Sequence, residues 1–134
     1  MDSDVSKGSD PLDRVLSVEI ARVTERAAVA AAMLRGRGDE RAADQAAVDA
    51  MRTELQAMAI DGTVVVGEGE RDDAPMLFVG ERLGQGGPAV DLALDPLEGT
   101  TICAKSLPNA LTVIAIAARG SLLVVPDVYM EKIA

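Results

Sequence analysis

Leu16, Ile20, Val23, Ala27, Ala30 and Leu34 recur at spacings of three and four, drawing one apolar stripe along a helix. Asp10-Pro11 supplies an N-cap and a first-turn proline ahead of it. Arg35-Gly36-Arg37-Gly38-Asp39 interrupts the stripe, because its paired glycines permit a tight reversal. A second helix is predicted from about Arg41 to Ala59, with Ala47, Met51, Leu55 and Met58 on one face. The two form an αα-hairpin.

Beyond Asp61-Gly62 the pattern turns β-branched, and Thr63-Val64-Val65-Val66 reads as a short buried strand that ends at Gly67. Glu68 then falls just past a strand end. Residues 75–83 fit strand or helix, and Gly84-Gln85-Gly86-Gly87-Pro88 is a turn. Val90–Leu94 is the next strand and delivers Asp95 at its end. Two more strands are predicted at Leu111–Ala118 and Leu122–Val125, joined by Arg119-Gly120 as a hairpin turn. The fold class is mixed α and β, a helix pair packed on a mostly antiparallel sheet. Residues 1–9 read as a disordered lead-in and residues 10–134 as one structural unit. Met130-Glu131-Lys132-Ile133-Ala134 carries no stop signal, and the expectation is that the chain is cut there.

The 134 residues are 49% hydrophobic, enough to build a core. With 22 acidic against 13 basic residues the net charge is -9, which repels nucleic acid and anionic membranes. The first ten residues are polar and acidic, unlike a signal peptide, and the apolar runs are too short to span a bilayer. The single cysteine, Cys103, allows no intrachain disulfide and reads as a small buried residue, so the location expected is cytoplasmic. Histidine is absent, which removes His-based triads, HExxH zinc sites and Cys/His fingers. Any metal is then held by oxygen, favouring Mg²⁺ or Mn²⁺.

Glu68, Glu70, Asp95 and Glu98 fall on two predicted loops that each follow a buried strand, and adjacent strand ends can converge such loops. Carboxylates brought that close repel strongly in a low dielectric unless cations sit between them. In Asp95-Pro96-Leu97-Glu98-Gly99-Thr100, Pro96 fixes the chain leaving the strand and Gly99 lets backbone and Thr100 approach a ligand. Asp95 is suited to bridge two cations, with the Leu97 carbonyl as a further oxygen. Two cations about 3.5 to 4 Å apart suit in-line displacement on phosphate. A single Asp or Glu in an acidic protein is more often a solvated loop residue. The ordered six-residue run with two glutamates upstream reverses that reading.

That run resembles the signature of the metal-dependent, lithium-sensitive sugar and inositol phosphatases, and this version looks like the bacterial class II fructose-1,6-bisphosphatases. Arg22-Val23-Thr24-Glu25, Gly36-Arg37-Gly38-Asp39, Ile60-Asp61-Gly62-Thr63, Ala74-Pro75-Met76-Leu77 and Tyr129-Met130-Glu131-Lys132 carry the resemblance from about residue 12 to the end. It implies the N-terminal half of a layered α/β/α/β/α fold, with Mn²⁺ or Mg²⁺ as cofactor and a sugar bisphosphate as substrate. The implied reaction is hydrolysis of the 1-phosphate of fructose 1,6-bisphosphate, in gluconeogenic or Calvin-type metabolism, by a homo-oligomer when full-length. Glu68, Asp95 and Glu98 resemble the family's metal ligands, and Asp44 matches an acidic position near the metals. Thr100 resembles the threonine that orients and helps deprotonate the attacking water, with Asp44 as its partner. Glu98, Gly99 and Thr100 resemble the loop around the reacting phosphate, and Tyr129 a substrate-contacting tyrosine. Members of that family are longer, and their second half supplies another carboxylate ligand and most sugar-phosphate contacts. The chain thus resembles the N-terminal metal-binding portion. Glu40 departs from the pattern, standing where many relatives carry lysine.

Other readings compete. Gly67-Glu68-Gly69 follows a strand as in a dinucleotide fingerprint, but the third position is Asp72 and two glutamates repel a pyrophosphate. Arg37-Gly38-Asp39 spells an adhesion tripeptide but reads as a turn. From a different class comes a non-catalytic metal-binding or oligomerisation fragment. Within the enzyme class, sedoheptulose 1,7-bisphosphate and inositol monophosphate are the alternative substrates.

Overall fold

The computed structural model describes residue 12, residues 14–126 and residues 128–134. The lead-in at residues 1–9 and the Asp10-Pro11 cap lie outside them. The elements run α1 (Arg14–Ala32), α2 (Glu40–Ala57), β1 (Asp61–Val66), β2 (Arg82–Leu83), β3 (Ala89–Glu98), α3 (Thr100–Ala104) and β4 (Leu111–Ala118). The sheet order is β2-β1-β3-β4, antiparallel at both outer pairings and parallel between β1 and β3.

The helical hairpin covers one face of the sheet. Leu16, Val23 and Ala27 of α1 and Ala47, Met51 and Leu55 of α2 are buried, as the three-and-four spacing requires. They pack on Val64 of β1, on Val90, Leu92 and Leu94 of β3, and on Ile114 and Ile116 of β4. The strand pairing sets those β3 and β4 residues side by side, Leu92 with Ile116 and Leu94 with Ile114. Asp39 caps α2 by accepting the Ala42 N–H at 3.0 Å. Gly36 and Gly38, both at positive φ, hook the helical turn onto the end of α3: their amides donate to the Cys103 and Ala104 carbonyls at 3.0 and 2.9 Å.

Two expectations need correction. Leu122–Val125 is not a strand; Leu123, Val124 and Val125 are exposed irregular chain. The Asp91 carboxylate captures the Gly120 N–H at 2.8 Å, while Arg119 reaches to Asp61 and to Thr63 Oγ1. These bonds turn the chain away from the β4 edge, so no hairpin forms there. Asp95 and Glu98 do not lie on a loop after a strand ending at Leu94, because β3 continues to Glu98.

The continuation is possible because β3 takes one extra residue. Asp95 pairs with Val113 and Glu98 with Leu111, so Pro96 and Leu97 together oppose Thr112. A proline fits there, having no N–H to lose from the ladder. Thr112 bears the cost, since its hydroxyl is buried without a partner among the described residues. β1 bulges likewise, with Val64 opposite Leu92 and Val66 opposite Ala93. Each strand is thus locally re-aimed beside a candidate acidic residue.

Residues 67–81 fold back over the sheet edge around one buried acid. Glu81 is 7% exposed and accepts from Arg52 Nε of α2 at 2.8 Å and from the Leu77 N–H at 3.1 Å. Removing the arginine leaves a carboxylate with little water to replace it. A fully buried pair broken this way loses roughly 3–5 kcal/mol; the half-exposed arginine reduces that here, and Arg52→Ala should destabilise by about 2 kcal/mol. Urea unfolding of the variant against the unmodified chain measures it.

Candidate active site

Asp44, Glu68 and Asp95 come from three elements and act on one another. Asp44 lies one turn into α2, beyond the Asp39 cap. Glu68 follows β1 after Gly67, where the chain passes so close to the folded-back loop that a side chain is excluded. A Cβ at Gly67 would stand 2.2 Å from the Leu77 carbonyl oxygen and 2.7 Å from Val64 Cγ1. The Glu68 N–H donates to that carbonyl at 2.9 Å. Asp95 precedes the β3 bulge and accepts the Leu97 N–H at 3.2 Å.

The field among these carboxylates is repulsive. Burial pushes the Glu68 carboxyl up to about 7, helped by the negative charges of Asp44 and Asp95. Asp44 is raised by burial and by Asp95. Asp44 and Glu68 also line one cleft of about 650 Å³, together with Arg41, Gln45 and Asp73. Among the described residues no group of three or more Asp, Glu or Cys side chains stands ready to enclose a metal ion. The donor chemistry nevertheless fits a hard cation: the groups are oxygen donors, and a positive charge among them offsets the burial and repulsion that raise Glu68.

The remaining expected site residues are placed as follows. Glu98 ends β3 and is exposed; Glu70, two residues after Glu68, is exposed as well. Gly99 is in the left-handed region at φ 93°, ψ 51°, and Thr100 opens α3, half-buried. Tyr129 is fully exposed beside Val66, Met130 and Lys132, outside the cleft. Cys103 is buried in the core, its thiol 3.7 Å from the Ala31 carbonyl. Sequence reasoning missed Glu81, whose contact with the Leu77 N–H fixes the residue that holds Glu68; its partner Arg52 is 29 positions away, beyond any periodicity. It also missed the cleft residues Arg41 and Asp73; the three-residue step from Arg41 to Asp44 on α2 was a signal for the first, and Asp73 had none.

Residues 14–134 match the family described as bacterial fructose-1,6-bisphosphatase, glpX-encoded. The chain is 54% identical over 121 residues to fructose-1,6-bisphosphatase 1 class 2 of Escherichia coli (strain K12), covering 90% of this chain and 36% of that protein. It is 50% identical over 124 residues to a D-fructose 1,6-bisphosphatase class 2/sedoheptulose 1,7-bisphosphatase of Prochlorococcus marinus (strain NATL1A), covering 92% and 37% respectively. A protein of the same name from Synechococcus sp. (strain CC9311) is 49% identical over 124 residues, covering the same shares. The chain spans little more than a third of the length of these curated relatives.

The raised Glu68 carboxyl makes stability depend on pH. Its folded value of about 7 exceeds the ordinary carboxylate value of 4.5, so the folded state holds the proton more tightly. The stabilising contribution is complete below the lower value and is lost as pH rises through the upper one. In metal-free buffer, Glu68→Gln should raise the thermal midpoint near about pH 8 and lose that advantage near about pH 4. Melting curves with a chelator at both pH values measure the difference.

Proposed function

The chain belongs to the bacterial, glpX-encoded fructose-1,6-bisphosphatase family, and on that premise we propose that its carboxylates form one wall of a metal-dependent phosphatase site. The reaction is hydrolysis of the 1-phosphate of fructose 1,6-bisphosphate, giving fructose 6-phosphate and phosphate. The observation behind this reading is the shared field of Asp44, Glu68 and Asp95. Two relatives that carry both names make sedoheptulose 1,7-bisphosphate the second substrate to test. The reading extends to a cytoplasmic homo-oligomer for the full-length protein.

Asp44, Glu68, Asp95 and Glu98 would hold the cation. Mn²⁺ or Mg²⁺ held there would make water more acidic and offset charge on the phosphate. Thr100 orients the attacking water through its hydroxyl, and Asp44 receives the proton that Thr100 passes on. Glu98, Gly99 and Thr100 close around the reacting phosphate. Gly99 suits that loop, since a Cβ there would meet Ile102 Cγ1 at 2.7 Å. Tyr129 is assigned to the sugar end of the substrate.

Calorimetric titration of Mn²⁺ into this chain should show Asp95→Asn losing more than the roughly 100-fold that removal of an outer-shell partner costs. In a full-length protein containing these residues, Thr100→Ala should lower phosphate release from fructose 1,6-bisphosphate by about 10²- to 10⁴-fold. Near-normal metal binding by Asp95→Asn, with unchanged turnover in Thr100→Ala, would overturn the proposal.

A further inference from the structure

Arg41 is an exposed cation at an unfavourable end of its helix. It is the second residue of α2, where the helix dipole disfavours a cation. It lines the cleft beside Asp39, Asp44, Glu68 and Asp73, yet among the described residues it makes no ion pair and no side-chain hydrogen bond. Among the described residues its guanidinium donors have no partner, in a cleft whose other charged lining residues are acidic.

Arg41, Asp44, Gln45 and Val48 share one face of α2 at spacings of three, four and seven, and all four line the cleft. Three residues, about 4.5 Å of helical rise, separate Arg41 from the level of Asp44. A tetrahedral anion drawn toward a cation at the carboxylates would come within reach of the arginine. Guanidinium and phosphate match as a bidentate pair, which Lys does not reproduce.

Resting on the metal-site reading above, we infer that Arg41 grips a phosphate group of the ligand and selects phosphorylated over neutral sugars for this cleft. The arginine and the metal site then act as two jaws: the cation admits an anion to an acidic cleft, and Arg41 holds its phosphate oxygens.

The test titrates inorganic phosphate, with fructose as the neutral control, into this chain loaded with Mg²⁺. The unmodified chain should bind phosphate and not fructose; Arg41→Gln should weaken phosphate binding by roughly tenfold or more, and Arg41→Lys should recover part of the loss. Mg²⁺ affinity of Arg41→Gln should be unchanged or tighter, and its thermal midpoint should not fall, since a cation has left an unfavourable helix position. Equal phosphate binding by Arg41→Gln overturns the inference. So does Mg²⁺ binding without any phosphate binding by the unmodified chain, and in that case the metal reading survives. A chain that binds no Mg²⁺ overturns both.

Discussion

The carboxylate of Glu81 is the point on which the site's geometry depends. It is an acid in the interior, made tolerable by the Arg52 guanidinium on one side and the Leu77 amide on the other. Through Arg52 it fastens the loop after β1 to α2; through Leu77 it fixes the carbonyl that accepts the Glu68 N–H. Asp44 sits on the same helix as Arg52. The Arg52–Glu81 pair, buried at its acid end, thereby ties together the helix and the loop that carry two mutually repelling carboxylates. Stability at this corner is spent on holding an electrostatically unfavourable arrangement, as expected where charge must be presented to a ligand.

The bulges serve the same end. A regular strand points successive side chains to opposite faces, and one extra residue breaks that alternation. β1 breaks it at Val65 and β3 at Pro96-Leu97. Asp95 and Glu98 are consequently delivered by a strand rather than a flexible loop, which limits how far either can relax from its neighbours. Among the described residues the Thr112 hydroxyl has no partner, a local loss beside the β3 bulge.

Much of the fold was legible in the sequence because it follows from short-range periodicity. The stripe Leu16 to Leu34 and the Met51–Leu55 face marked the hairpin, and the β-branched run at Thr63–Val66 marked the central strand. Leu122–Val125 misled for the same reason: its residues favour strands, but side chains from Asp91, Arg119 and Asp61 decide where the chain goes after β4. Asp95 was placed at a strand end because Pro96 ordinarily stops a ladder, whereas a bulge removes the need for its missing N–H. Of the site, the run Asp95–Thr100 was readable through ordered spacing. Glu81 and Arg41 were not, since their significance lies in what they face across the fold.

The turn between the two long helices has a mechanical consequence. The amides of Gly36 and Gly38 are bonded to the final carbonyls of α3, whose first residue is Thr100. α3 is only a turn and a half long, too short to flex internally, so it transmits displacement like a strut. A shift of the Gly99–Thr100 end toward a ligand would pull on the turn that leads directly into α2 and its acidic first turns. The start of α2 and the Gly99–Thr100 end of α3 are thus hinged together, so that neither can be displaced without moving the other.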